Sequence, residues 1–135
     1  MKEQKVFVVK AKDVKPGLFL NEFPGVKESK IIWREKNIPT KTLVMGITEV
    51  PPAIKATMHR HHTEEIYYIL EGEGCVEVEG ETIGFKKGDT VFLLENVKHR
   101  PINTDANNPL KFVYACGVNL ETYKDSWGET FPEES

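Results

Sequence analysis

Residues 59–72 read H-R-H-H-T-E-E-I-Y-Y-I-L-E-G. The second half is an apolar, strand-like run closed by the turn signal Glu71-Gly72. The first half carries three histidines in four residues. Successive side chains on a β-strand point to opposite faces, so His59 and His61 share one face while Arg60 and His62 share the other. Two imidazoles so spaced can grip one ion. Glu65 opens the apolar run, and a short turn at residues 62–64 would fold its carboxylate back beside them. The chain has four histidines in all, and the fourth, His99, lies in a second strand-like run, V-K-H-R-P-I-N. His59, His61, Glu65 and His99 are therefore the candidate metal ligands. The alternative is a surface patch of histidines on an edge strand, which so uneven a distribution of histidine disfavours.

Working outward, short β-rich runs follow one another at 42–50, 57–61, 65–71, 74–78, 81–85, 90–94, 97–103 and 110–118. Pro51-Pro52 ends the first of them because proline cannot donate to a sheet ladder. Glu71-Gly72, Glu79-Gly80 and Lys87-Gly88-Asp89 supply tight turns. No long stretch shows helical spacing of apolar residues. This pattern predicts an all-β fold, an antiparallel sandwich or barrel of the double-sheet, jelly-roll kind. Earlier, residues 5–9 and 30–34 read as two further strands in an N-terminal arm (1–40), which would cover an open sheet edge of its own chain or of a partner. The barrel proper is expected over 41–120. The tail, 121–135, is polar and acidic with isolated Tyr123, Trp127 and Phe131, and reads as a helical turn or a docking strap.

The chain's 135 residues suffice for one domain with a sizeable core. With 18 Lys and Arg against 21 Asp and Glu, interspersed, it lacks the basic stripe that neutralises phosphates, so nucleic acid is not an expected partner. The apolar run near the N-terminus is too short for a signal-peptide core or a membrane span, and a soluble, cytoplasmic protein is expected. Cys75 and Cys116 stand singly in strand-like runs without C-x-x-C spacing, and are expected to be reduced core residues.

These residues resemble the cupins. The first cupin motif, G-x5-H-x-H-x3,4-E-x6-G, is matched at His59, His61, Glu65 and Gly72, with Ala53 at the leading glycine position. The second, G-x5-P-x-G-x2-H-x3-N, is matched at Gly88, His99 and Asn103, with Leu94 and Asn96 at the proline and glycine positions. Asn96 can adopt the left-handed conformation that glycine supplies. The resemblance implies a double-stranded β-helix of two packed sheets and a metal held by three histidines and one glutamate. It also implies, often, a homodimer whose N-terminal strands reach across to the partner.

Such a ligand set suits one divalent metal per chain, with manganese or iron favoured and zinc, nickel, cobalt or copper also accommodated. Six-coordination would leave two positions for a small molecule such as a carboxylate, an open type of site. If the four ligands point inward, parity places Thr57, Tyr67, Ile69 and Asn103 on the same faces, a mainly apolar pocket with a few polar handles. Tyr67 is the candidate catalytic acid or donor, against a plain packing role. Asn103 would orient a ligand or tie down a turn. Arg60, Arg100 and His62 should face away from the metal.

Two function classes follow. One is a metal-dependent enzyme acting on a small carboxylic acid, of decarboxylase or dioxygenase type. The other is a non-catalytic metal-dependent binder of a metabolite or sugar, with a sugar-phosphate isomerase as a further possibility. Cupins that decarboxylate oxalate look as though they place an arginine beside the metal and a glutamate on a mobile lid. Three positions before His59 this chain has Ala56.

Overall fold

A computed structural model describes residues 3–18, 25–118 and 128–134. Eleven strands are present among them: β1 (Gly17–Leu18), β2 (Lys27–Ile32), β3 (Leu43–Val50), β4 (Met58–Arg60), β5 (Glu65–Glu71), β6 (Glu73–Val78), β7 (Glu81–Lys86), β8 (Thr90–Leu93), β9 (His99–Asn103), β10 (Leu110–Gly117) and β11 (Glu129–Phe131). They form two antiparallel sheets, ordered β1-β2-β3-β10-β5-β8 and β11-β4-β9-β6-β7, which together make the jelly-roll barrel. Two short 3-10 turns, Ala11–Asp13 and Arg34–Lys36, are the helical elements among the described residues. No helix among these residues is long and apolar enough to cross a membrane.

Strand alternation builds the core. In β10 every second residue from Leu110 to Cys116 is buried, and in β3 the same holds from Val44 to Val50. A one-residue slip would turn the apolar set outward, so the pattern fixes the register. Tyr67, Ile69, Val76, Phe85, Leu93, Leu110 and Phe112 fill the space between the sheets. The chain changes sheets at Gly72, where φ is +87° and a Cβ would stand 2.6 Å from the Pro109 carbonyl oxygen. Glu79 and Gly80, both at positive φ, close the two-residue hairpin between β6 and β7. Asn96 has φ 61°, as its place in the second motif implies, and Ala53, at the leading glycine position, has the same angle.

Three readings change, and the tail takes one of its two expected forms. Residues 5–9 form no strand, and Val6 and Val8 are exposed. A β-rich run needs a free edge to pair with, and Gly17–Leu18 takes the edge of β2 instead. The second arm strand is Lys27–Ile32, ending before residues 33–34, and pairs with β3 of its own chain. Cys75 is only half-buried because Val76 holds the inward position on β6, whereas Cys116 is buried. Of its two expected forms the tail takes the strap: β11 lies against β4, with Lys98 Nζ 3.9 Å and Arg60 Cζ 5.6 Å from the Phe131 ring centroid. Tyr123 and Trp127 lie outside the described residues.

Candidate metal centre

His59 on β4 pairs directly with His99 on β9, which sets two imidazoles side by side on the inner face of the five-stranded sheet. Their ring centroids are 4.4 Å apart. His61 follows β4 on the same face, 5.3 Å from His99 between centroids. Glu65 enters from the opposite sheet as the first residue of β5. All four side chains are buried, and one ligand atom from each lies within 4.8 Å of the others.

The hydrogen bonds fix which nitrogen each histidine offers. Nδ1 of His59 lies 2.8 Å from the Thr57 carbonyl oxygen, Nδ1 of His61 3.0 Å from that of Thr63, and Nδ1 of His99 2.7 Å from that of Val97. A carbonyl only accepts, so each Nδ1 carries the proton and each neutral ring presents its Nε2 lone pair. Nε2 of His61 and of His99 stand 3.0 and 3.3 Å from the same Glu65 oxygen, Oε1. Lone pairs facing a carboxylate oxygen require a positive charge between them, a proton or a metal ion. The donor set therefore fits a divalent cation, with backbone carbonyls orienting every imidazole.

The electrostatics agree. Burial, the largest influence on Glu65, raises its pKa, but hydrogen bonds and charge from His61 and His99 bring it down to about 2. His59 is lowered to about 3 by burial and by His99. Burial pulls His61 down as well, yet Glu65 and the Thr63 carbonyl leave it raised. The site is thus a buried anion among imidazoles, poised for a cation.

The other candidate residues divide. Tyr67 is buried, stacks on Phe112 at 4.3 Å between centroids, and is 6.4 Å from the His99 ring. Burial and the nearby Glu65 carboxylate push its pKa well up. Thr57 orients His59 through its carbonyl oxygen. Ile69 is part of the core. The Asn103 amide donates to the carbonyls of Val50, Pro51 and Asn108 and accepts from the Asp105 N–H, which is the turn-holding role. Arg60 pairs with Glu129, Arg100 with Glu77 and the Glu134 carbonyl, and His62 contacts Asn96, all away from the cluster. Sequence reasoning passed over Glu28 on β2, a carboxyl only 5% exposed on the inner face of the six-stranded sheet. Its K-E-S-K setting reads as a solvated charged run.

Comparison with known proteins adds the family. The cupin domain profile matches residues 46–116, more than half of the chain. An oxalate-binding protein of Thermotoga maritima is 30% identical over 116 residues, covering 84% of this chain and 95% of that one. An uncharacterised protein of Methanocaldococcus jannaschii is 38% identical over 78 residues, 57% of this chain and 61% of that one, so the match takes in less than two thirds of that relative. The crystal structure of a predicted oxalate decarboxylase from Thermotoga maritima superposes with a TM-score of 0.70 at 27% identity, covering 82% of this chain and 98% of that chain. Sequence profile, full-length relative and barrel agree: the chain belongs to the cupin family.

Proposed function

We propose that this cupin holds one divalent metal ion, manganese or iron in preference to zinc, nickel, cobalt or copper, through His59, His61, Glu65 and His99, and acts on a small carboxylic acid. The observation that carries the reading is the buried cluster with all three Nδ1–H groups engaged by carbonyls, which leaves three lone pairs and one carboxylate facing each other. When bound, the ion would supply Lewis acidity toward a ligand carboxylate. The chain's own part is to orient the imidazoles, to exclude water around the cluster, and to offer the Tyr67 hydroxyl beside Glu65 as hydrogen-bond donor. Decarboxylation and dioxygen chemistry are the reaction types that suit such a site. The likeness to an oxalate-binding protein supports a dicarboxylate as ligand class, and equally favours a second reading, binding without turnover.

Elemental analysis of protein purified without added metal or chelator tests the site, and oxalate consumption by the metal-loaded form separates enzyme from binder. His61→Ala should strip the metal, whereas His62→Ala should leave its stoichiometry unchanged. Metal lost from the second and kept by the first would reverse every inward assignment on β4. A homodimer is part of the same proposal. On the outer face of the six-stranded sheet Phe92, Ile66, Ala115 and Met45 form one row across four strands, and Phe92 and Ile66 are exposed. A second copy would cover this face, and light scattering of the purified protein would give twice the chain mass. A cytoplasmic setting is part of the same proposal, supported by two cysteines without C-x-x-C spacing.

A further inference from the structure

Glu28 occupies a built seat. The Tyr114 hydroxyl, from β10, donates to its Oε1, and Trp33 Nε1–H donates in turn to the Tyr114 oxygen at 3.2 Å. Gly46, paired with both Tyr114 and Lys30, makes the room: a Cβ there would collide with the Tyr114 hydroxyl and stand 2.7 Å from the Ser29 carbonyl oxygen. Among the described residues Tyr114 is the one hydrogen-bond partner of the carboxyl. The second oxygen is not sealed inside the core, so it is open to a partner from the adjoining space.

That partner has a place to sit. Glu28 lines a cavity of about 480 Å³ with Lys30 and Ile31 of β2, Asp13 and Lys15 of the N-terminal segment, and Lys36. Three lysines face two acids there, and because Lys30 also pairs with Glu35 the cavity favours a small anion when Glu28 is protonated. Lys30 Nζ is held 4.3 Å above the Trp33 ring and 3.9 Å from Glu35.

We propose that Glu28 is a ligand-contacting residue: in its protonated form it donates a hydrogen bond to an oxygen of a small carboxylate held in this cavity, while Lys15, Lys30 and Lys36 supply the attracting charge. The inference rests on the carboxylic-acid reading above and adds a contact for the acid in a cavity whose lining does not include the four metal ligands. Burial raises the Glu28 pKa to about 7, against the Tyr114 hydrogen bond and Lys30, which lower it, and Glu65 adds to the rise. The ionisable groups facing Glu28 are Tyr114 of β10, Lys30 of β2, Glu65 of β5, and Asp13, Lys15 and Lys36 around the cavity.

Calorimetric titration of the metal-loaded protein with oxalate, at pH 6 and pH 8, tests this on wild type, Glu28→Gln and Glu28→Ala. Wild type should bind roughly 10-fold more weakly at pH 8, because an acid of pKa near 7 passes from mostly protonated to mostly ionised. Glu28→Gln keeps a donor of the same shape and should lose that dependence. Glu28→Ala should bind about 10-fold more weakly than wild type at pH 6. The histidine cluster is common to all three forms, so its own titration cancels, and metal content should match wild type throughout. Unfolding midpoints confirm that each variant is folded. Oxalate bound by Glu28→Ala as by wild type, or by Glu28→Gln with the wild-type pH profile, overturns the role of Glu28 and leaves the carboxylate reading standing. Loss of binding at both pH values in folded Glu28→Gln does the same. No oxalate bound by any metal-loaded form overturns both.

Discussion

Two acid–tyrosine pairs line the inner face of the six-stranded sheet, Glu65 with Tyr67 and Glu28 with Tyr114. Both carboxyls are 5% exposed, and burial is the largest influence on each and acts upward on both. Their pKa values nevertheless part, to about 2 for Glu65 and about 7 for Glu28. The difference lies in the donors. Glu65 faces two imidazoles that can carry charge, whereas Glu28 faces a tyrosine hydroxyl and one partly exposed lysine. A buried carboxyl thus becomes a fixed anion or a titrating acid according to what its neighbours donate.

The sharpest break of that comparison is Glu65→Gln, which keeps shape and removes the anion. Metal affinity should fall by more than the roughly 10- to 100-fold that loss of an outer-shell partner costs, read by elemental analysis and by metal titration. The metal-free protein offers a second readout. A lowered carboxyl pKa contributes stability that is present above about pH 4.5 and is lost as pH falls toward 2. Wild type should weaken over that window, and Glu65→Gln should not. A variant that retained stoichiometric metal would make Glu65 a bystander.

Glu28→Gln should act with the opposite sign. A raised carboxyl pKa favours folding while the group is protonated, and stability is lost as pH rises from the unfolded value of about 4.5 through about 7. Between pH 5 and pH 8 wild type should lose on the order of 2 to 3 kcal/mol from this group, and Glu28→Gln should be spared that loss. Denaturant unfolding at the two pH values measures it. Equal slopes in the two proteins would mean that Glu28 titrates like an exposed carboxylate.

How far each pair could be read from the chain follows from how local its causes are. Glu65 is legible because strand parity at His59 and His61 and a three-residue turn bring it home within seven residues, and its strand, Glu65–Glu71, has the bounds its apolar run indicates. His99 is legible as the remaining histidine in a second strand-like run. Glu28 is not: its burial depends on Tyr114, 86 residues further on, and on the room left by Gly46. Nothing in K-E-S-K announces either. The C-terminal strap is legible only as one of two forms, since what it docks on, β4, lies far back in the chain, with Arg60 and Glu129 2.7 Å apart across the pairing. Residues 5–9 fail in the other direction, because β-propensity is a local signal and a free sheet edge is not.

The smallest effect sharpens the comparison most finely. Tyr114 both donates to Glu28 and accepts from Trp33, so Tyr114→Phe leaves two buried groups short of a partner. Tyr67 fills core volume against Phe112, which phenylalanine also fills, and the substitution gives up one hydrogen bond, to Glu65. Tyr67→Phe should therefore cost about 1 kcal/mol or less in unfolding free energy, and Tyr114→Phe about twice that. Metal content of Tyr67→Phe should stay at the wild-type level, because the imidazoles are oriented by backbone carbonyls and not by the phenol. If oxalate turnover is present, its loss in a Tyr67→Phe protein with full metal and unchanged stability would assign the phenol to the chemistry. Unchanged turnover would assign it to packing.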